Sequence, residues 1–195
     1  MVTDLVLHTI KERRSIHNFK HEKVDSSILN EIFTYASYAP THHMKEPWNI
    51  KVYQDNGKNA LVKAIINSYQ RHGLIKNDNQ PQTKKTIDSI SQFLLDIPHH
   101  ALIYFYKESN PIRYEEIYAS ICAFIQNAQL AGWEYGVGML WTITPYMHDL
   151  EFVKEIGLNG ETVKVAAVLQ IGYPADIPKD KGRIPIHKKI EYISD

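Results

Sequence analysis

The chain has 195 residues, 44% of them hydrophobic, which is enough for one sizeable core, so a single domain spanning 1–195 is expected. Lys+Arg and Asp+Glu both number 22, so no net field steers the protein to nucleic acid or to an anionic membrane. The lone cysteine, Cys122, excludes a disulfide framework within the chain and a Cys-based zinc site.

Leu5, Val6, Thr9 and Ile10 recur at helical spacing and predict a short first helix ending near Arg13. Residues 1–10 carry Asp4 and His8 and have no long apolar run, so they do not read as a signal peptide. No segment reaches the roughly 18 apolar residues needed to span a bilayer, and a cytoplasmic protein is expected. Asp25 reads as the N-cap of a second helix with an apolar stripe of Ile28, Leu29, Ile32, Phe33 and Ala36, stopped by Pro40. Residues 49–54 predict a strand with Ile50 and Val52 turned inward, and Leu61, Val62, Ile65, Ile66 and Tyr69 mark a third helix.

Residues 71–85 are polar and hold Gly73, Asn77, Asp78, Asn79 and Pro81, a composition suited to a surface loop or a mobile lid. Ile87, Ile90, Phe93 and Leu94 give a further helix, and 101–106 an apolar, aromatic strand. The longest helical pattern covers 114–135 and is apolar around much of its circumference, which predicts a central or interfacial position. Cys122 lies within it and reads as a buried, inert thiol. Gly136-Val137-Gly138 breaks this helix, 139–143 reads as a strand, Leu150, Val153 and Ile156 mark a short helix closed by Gly157, and 163–171 is a hydrophobic strand. The tail from 183 has spaced apolar residues without a core of its own and needs another surface to lie on. Helices and strands alternate without a regular βαβ rhythm, which predicts an α+β sandwich with helices flanking one sheet.

Several chemistries lack their residues. No G-x-G-x-x-G follows a strand, and Gly136-Val137-Gly138 follows a helix where a dinucleotide fold would have it precede one. Metal ligation is not expected, because His42-His43 and His99-His100 are sequence neighbours expected to point apart. Ser15, Ser68 and Ser120 stand outside any nucleophile elbow.

Four segments carry a positive signal. Arg13-Arg14-Ser15-Ile16-His17-Asn18-Phe19 follows the first helix and offers guanidinium forks and a hydroxyl matched to phosphate oxygens. The proline-framed stretch 39–48 holds Ala39, Pro40, Thr41, His42, His43, Met44, Lys45, Glu46, Pro47 and Trp48. Residues 131–142 leave the long helix through Gly136-Val137-Gly138 into a strand, and Gly172-Tyr173-Pro174 is followed by Arg183-Ile184-Pro185-Ile186. In order and spacing these segments resemble the FMN-dependent nitroreductase family. That family opens on Arg-Arg-Ser-x-Arg-x-Phe and continues with Ala-Pro-Ser-x-x-Asn-x-Gln-Pro-Trp; here Thr41 replaces the serine, His42 fits a subgroup, and Met44 and Glu46 replace the asparagine and glutamine.

The resemblance implies a nitroreductase-like α+β fold, with a central, mostly antiparallel sheet flanked by helices, in an intertwined homodimer whose tail 183–195 wraps the partner. It implies FMN gripped at its phosphate by Arg13, Arg14, Ser15 and Arg183, with Thr41, His42, His43 and Glu46 reaching the cofactor largely from the other subunit. Trp141, Thr142 and Ile143 would border the isoalloxazine, where backbone N–H groups favour the reduced, negatively charged flavin. NADH or NADPH would be the donor, and a small electron-poor molecule such as a nitroaromatic or quinone the acceptor, in ping-pong order. No side chain is required as an acid or base; His42 and Glu46 are candidate proton donors, weighed against packing roles. The changes at Met44 and Glu46 leave two alternatives, a specialised flavin redox enzyme not driven by NAD(P)H and a flavin-binding protein without turnover.

Overall fold

A computed structural model describes residues 3–194; Met1 and Val2 of the N-terminal stretch and Asp195 of the tail lie outside the described residues. Helix α1 is Thr3–Glu12, α2 Ser26–Ala36, β1 Asn49–Gln54, α3 Gly57–Arg71 and α4 Pro81–Asp96. Strand β2 is His99–Tyr106, α5 Pro111–Glu134, β3 Gly138–Thr142, α6 Leu150–Glu155 and β4 Val163–Gly172. Local chemistry sets the starts: the Asp25 carboxylate accepts the Ser27 N–H at 2.7 Å. The Asn110 side chain likewise accepts the N–H groups of Ile112 and Arg113 ahead of Pro111, a residue suited to a first helical position.

The four strands form one antiparallel sheet in the order β1-β2-β4-β3. Both faces are covered. Helices α2 and α5 seal one face over Ile32, Phe105, Ile121, Phe124, Ile125 and Leu169. On the other face α3 and α6 lie over Leu61, Ile65, Leu102, Phe152 and Val168, and Leu94 of α4 joins them. That is why β2 and β4 read as continuous apolar runs. A bulge sits in β4, where Ile103 pairs with Ala167 and Tyr104 with Val165. The extra residue, Ala166, moves Val165 and Ala167 onto opposite faces and lets each strand end fill its own core.

The predicted order of elements holds, with local differences. Val52 does not turn inward with Ile50: it is 40% exposed, while Ile50 packs against the α2/α5 core. Strand β1 is the sheet edge, and the helical layer does not extend over Val52. Within 71–85, Arg71 ends α3 and 81–85 already belong to α4, leaving 72–80 as the connection. Arg71 is held there by Asp149 (2.7 Å) and Glu155 (2.6 Å). Cys122 is half-buried on α5 and not fully buried as expected, and desolvation there pushes its thiol pKa up, which disfavours the thiolate. Leu5, Val6 and Ile10 leave most of their surface to solvent, and the described tail from 181 onward is exposed throughout.

Candidate functional site

The Arg13-Arg14-Ser15 segment leaves α1 and runs beside β3. The Ile16 N–H donates to the Met139 carbonyl at 3.1 Å, and Ser15 bridges Met139 in parallel. Ile16 is fully buried over Gly138, where an added Cβ would lie 2.4 Å from Ile16 Cγ1. Gly138 is thus required for close approach of the two backbones. Farther on, the Lys20 N–H donates to Tyr173 O (2.8 Å) and the Ala175 N–H to Asn18 O (3.0 Å). These bonds tie the N-terminal motif to the exit of β4 and bring the two ends of the sequence signal together.

Three guanidinium groups gather as a result. Asp180 lies 3.8 Å from Arg14 and 3.9 Å from Arg183. The Arg13 pKa is lowered, first by burial and then by the charges of Arg14 and Arg183, although a guanidinium stays protonated. Arg13 Nη1 donates to Gln129 Oε1 at 3.4 Å, and Gln129 Nε2 to Gln126 Oε1 at 3.4 Å. Beside them opens a hollow of ≈ 490 Å³ lined by Arg13, Ser15, Gln126, Gln129, Trp141 and Ile143. The Nε atoms of Arg13 and Arg14 and Nε1 of Trp141 are buried without a partner among the described residues. Buried donors without acceptors are costly, and clustered cations call for an anion. The donor set fits the phosphate and polar edge of a flavin nucleotide.

The second part of the expected site is elsewhere. Between Pro40 and Pro47 the chain makes a 3-10 turn, His42–Met44, with φ of 53° at His43, 52° at Met44 and 43° at Glu46. Left-handed backbone at three non-glycine residues is costly and requires local anchoring. Thr41 Oγ1 accepts the Glu46 N–H at 3.3 Å. His42 Nδ1 lies 2.9 Å from Glu116 Oε2, and Lys45 Nζ 3.5 Å from Glu108. Trp48 stacks on Phe124 of α5 with ring centres 4.9 Å apart. The His42 and His43 rings do not point apart as expected for neighbours; they stack with centres 4.0 Å apart, because His43 takes the left-handed conformation.

The sequence-predicted residues therefore fall into two groups. Arg13, Arg14, Ser15, Trp141, Ile143 and Arg183 come together. Thr142 lies between Trp141 and Ile143 in sequence but does not line the hollow with them; it ends β3 with its hydroxyl donating to Val168 O at 2.7 Å. Thr41, His42, His43 and Glu46 sit at the other end of α5, beside Glu116. From Glu116 to Gln126 along α5 is about 15 Å at the helical rise of about 1.5 Å per residue. One chain thus holds the two groups of residues apart. Sequence reasoning did not single out Gln126 and Gln129, which line the hollow beside Arg13; two glutamines three positions apart on a mostly apolar helix were the available signal.

His99 and His100 belong to the core, on opposite sheet faces. His99 Nε2 accepts the Val24 N–H at 3.0 Å, and His100 Nε2 lies 2.8 Å from Leu94 O. Burial lowers both pKa values, that of His100 to about 4. Among the described residues, no three His, Cys, Asp or Glu side chains converge as metal ligands would.

Comparison with known proteins gives the family and the fold. The profile of the Nitroreductase family matches residues 10–173. YfhC of Bacillus subtilis (strain 168), provisionally assigned as an NAD(P)H nitroreductase, is 33% identical over 181 residues, covering 92% of this chain and 90% of that protein. The crystal structure of a nitroreductase-like family protein from Bacillus cereus superposes with a TM-score of 0.87 at 33% identity, covering 97% of this chain and 96% of the other. The FMN-dependent nitroreductase NfnB from Mycobacterium smegmatis, solved in complex with NADPH, shares the fold with a TM-score of 0.74 at 14% identity and complete coverage of both chains.

Proposed function

This chain belongs to the nitroreductase family and has its fold, and from that premise we propose that it is an FMN-dependent oxidoreductase. It takes hydride from NADH or NADPH and passes it to a small electron-poor acceptor such as a nitroaromatic or a quinone. The observation that carries this reading is the cradle of Arg13, Arg14 and Arg183 with its unpartnered buried donors beside the ≈ 490 Å³ hollow.

Bound FMN supplies the two-electron exchange between donor and acceptor. The protein binds and orients. Arg13, Arg14 and Arg183 hold the phosphate and Ser15 adds a hydroxyl donor, while Gln129 holds Arg13 in place. The buried Trp141 Nε1–H faces a polar partner supplied by the ligand. Ile143, 59% exposed, gives an apolar wall against which a planar ring can pack.

The functional unit is a homodimer in this reading. The Thr41–Glu46 half-site lies about 15 Å along α5 from the Gln126 side of the phosphate cradle, and in this reading a second copy supplies it. Leu5, Val6, Ile10 and Tyr35, more than half exposed, border a groove of ≈ 420 Å³ whose chemistry suits such a contact. The tail, with Ile184, Ile186, Tyr192 and Ile193 exposed, lies on the partner in the same reading. Among the described residues no helix is long and apolar enough to cross a membrane, and the sequence-based expectation of a cytoplasmic enzyme is retained. In the same reading the segment 71–85, with its connection 72–80 between α3 and α4, is the candidate lid.

Purified protein should be yellow, should elute as a dimer, and should lose its flavin absorbance on anaerobic mixing with NADH or NADPH. Colourless protein that takes up no added FMN overturns the reading. Flavin that neither donor reduces restricts it to a flavin protein served by another reductant.

A further inference from the structure

Resting on the reading that the Thr41–Glu46 loop borders the flavin, we propose that the pocket between this loop and the start of α5 is an anion subsite. It anchors the negatively charged end of a molecule that reacts at the cofactor. The pocket measures ≈ 370 Å³ and is lined chiefly by His42, His43, Lys45, Asn110, Arg113 and Glu116.

Its charges are unequal. Lys45 and Arg113 are permanent cations, two imidazoles stand beside them, and the one carboxylate, Glu116, is engaged by His42 at 2.9 Å. Lys45 reaches Glu108 only at 3.5 Å, with Lys45 exposed and Glu108 half-buried, so that pair is long and weak. The Arg113 guanidinium makes no ion pair and no hydrogen bond among the described residues. It projects from the first turn of a 24-residue helix capped by Asn110, whose N-terminal field has the same positive sign. The loop that closes the pocket is fixed by the His42–Glu116 contact and the stacked imidazoles, in backbone conformations that few non-glycine residues adopt. A rigid rim with one uncommitted fork donor is suited to bind a carboxylate or phosphate.

Two sources supply such a group: a carboxylate on an aromatic acceptor, or the 2′-phosphate that distinguishes NADPH from NADH. The test compares wild-type holoprotein with Arg113→Ala and Arg113→Lys after confirming equal FMN content. The acceptors are 4-nitrobenzoate and the neutral 4-nitrobenzyl alcohol; the donors are NADPH and NADH. Arg113→Ala is expected to lower kcat/KM roughly tenfold for the member of one pair that carries the extra anionic group, 4-nitrobenzoate or NADPH, to leave the member without that group unchanged, and to be partly restored in Arg113→Lys. Loss confined to 4-nitrobenzoate places the anion on the acceptor, and loss confined to NADPH places it on the donor. Equal loss across both pairs, or no loss in either, overturns the subsite. If neither donor reduces the wild-type flavin, the reductase reading fails by itself. Calorimetric titration with 4-nitrobenzoate and with NADP+ against NAD+ then decides the subsite: affinity for 4-nitrobenzoate, or a preference for NADP+ over NAD+, that Arg113→Ala removes supports it, and unchanged or absent binding of both 4-nitrobenzoate and NADP+ overturns it.

Discussion

The contact between Ile16 and Gly138 is where the phosphate cradle can be perturbed without touching a residue that would meet the ligand. In Gly138→Ala the new Cβ would lie 2.4 Å from Ile16 Cγ1, 2.9 Å from Ile16 Cβ and 3.0 Å from Pro174 Cγ. Ile16 is fully buried and cannot swing into solvent. The backbone carrying Arg13–Ser15 must therefore move away from β3, straining the 3.1 Å bond from Ile16 N to Met139 O. Overpacking of this kind costs about 1–3 kcal/mol, and the displaced arginines should weaken FMN binding as well. Ile16→Ala alone creates a cavity worth about 2–5 kcal/mol. In the double variant the added methyl enters the space Ile16 vacates, so the two costs should combine to less than their sum by about 1–2 kcal/mol. Urea unfolding measures the stabilities, and quenching of flavin fluorescence measures affinity. Additive stabilities, or a Gly138→Ala protein with wild-type stability and FMN affinity, would refute the proposed steric coupling.

Arg13→Ala should weaken FMN binding by about tenfold or more, since a charge-assisted hydrogen bond is worth about 1.5–3 kcal/mol; Arg183→Ala should cost less, because the Arg183 side chain is 78% exposed and solvent screens it. Equilibrium dialysis checks the order, and equal or absent effects count against the cradle. His100 predicts acid sensitivity: its folded pKa lies at about 4 because burial disfavours the charged ring, against 6.5 when free. Between these values the unfolded chain binds a proton that the folded chain does not, so stability should fall by about 3 kcal/mol as pH drops from 6.5 towards 4. A His100→Leu variant should show a shallower decline in its urea midpoint over that interval, and an unchanged decline would exclude His100 as its source.

Periodicity was sufficient for α2 because its buried face follows side-chain spacing, whereas in α1 the spaced residues Leu5, Val6 and Ile10 form a helix but not a buried face in the single chain. Ile28, Leu29, Ile32 and Ala36 could be read as one stripe, and Asp25 as its cap. The departures arose where tertiary cover decides. Val52 alternates correctly with its neighbours but lies on an edge strand beyond the helical layer. The β4 bulge is invisible in a run of Val and Ala, since every residue from 165 to 171 is apolar except Gln170, and all are buried. Within the site, the arginines were legible because their chemistry is specific to an anion. Gln126 and Gln129 were less legible, because their part depends on which face of α5 meets Arg13. The stacking of His42 on His43 depends on a left-handed residue, a conformation His tolerates better than most but one that the sequence pattern does not single out at His43.

The division of the site along α5 has a geometric consequence for the proposed homodimer. A two-fold contact is isologous, so whatever one copy gives it also receives. If the two α5 helices cross antiparallel near the midpoint between Glu116 and Gln126, each loop half-site comes beside the other copy's phosphate cradle, and two equivalent sites form together. Ala119 and Cys122 lie near that midpoint; Ala119 is exposed and Cys122 half-buried in the single chain. In a monomer, Ala119→Arg on an exposed helical surface should change stability by no more than about 0.5 kcal/mol. Across a close helix–helix contact, the same substitution introduces two bulky cations and should separate the subunits. The expected variant is folded by circular dichroism, monomeric by sedimentation, and deficient in FMN although Arg13, Arg183 and the Thr41–Glu46 loop are unaltered. A variant that remains dimeric would move the axis away from Ala119, and a monomer that keeps wild-type FMN affinity would show that one chain completes the site alone.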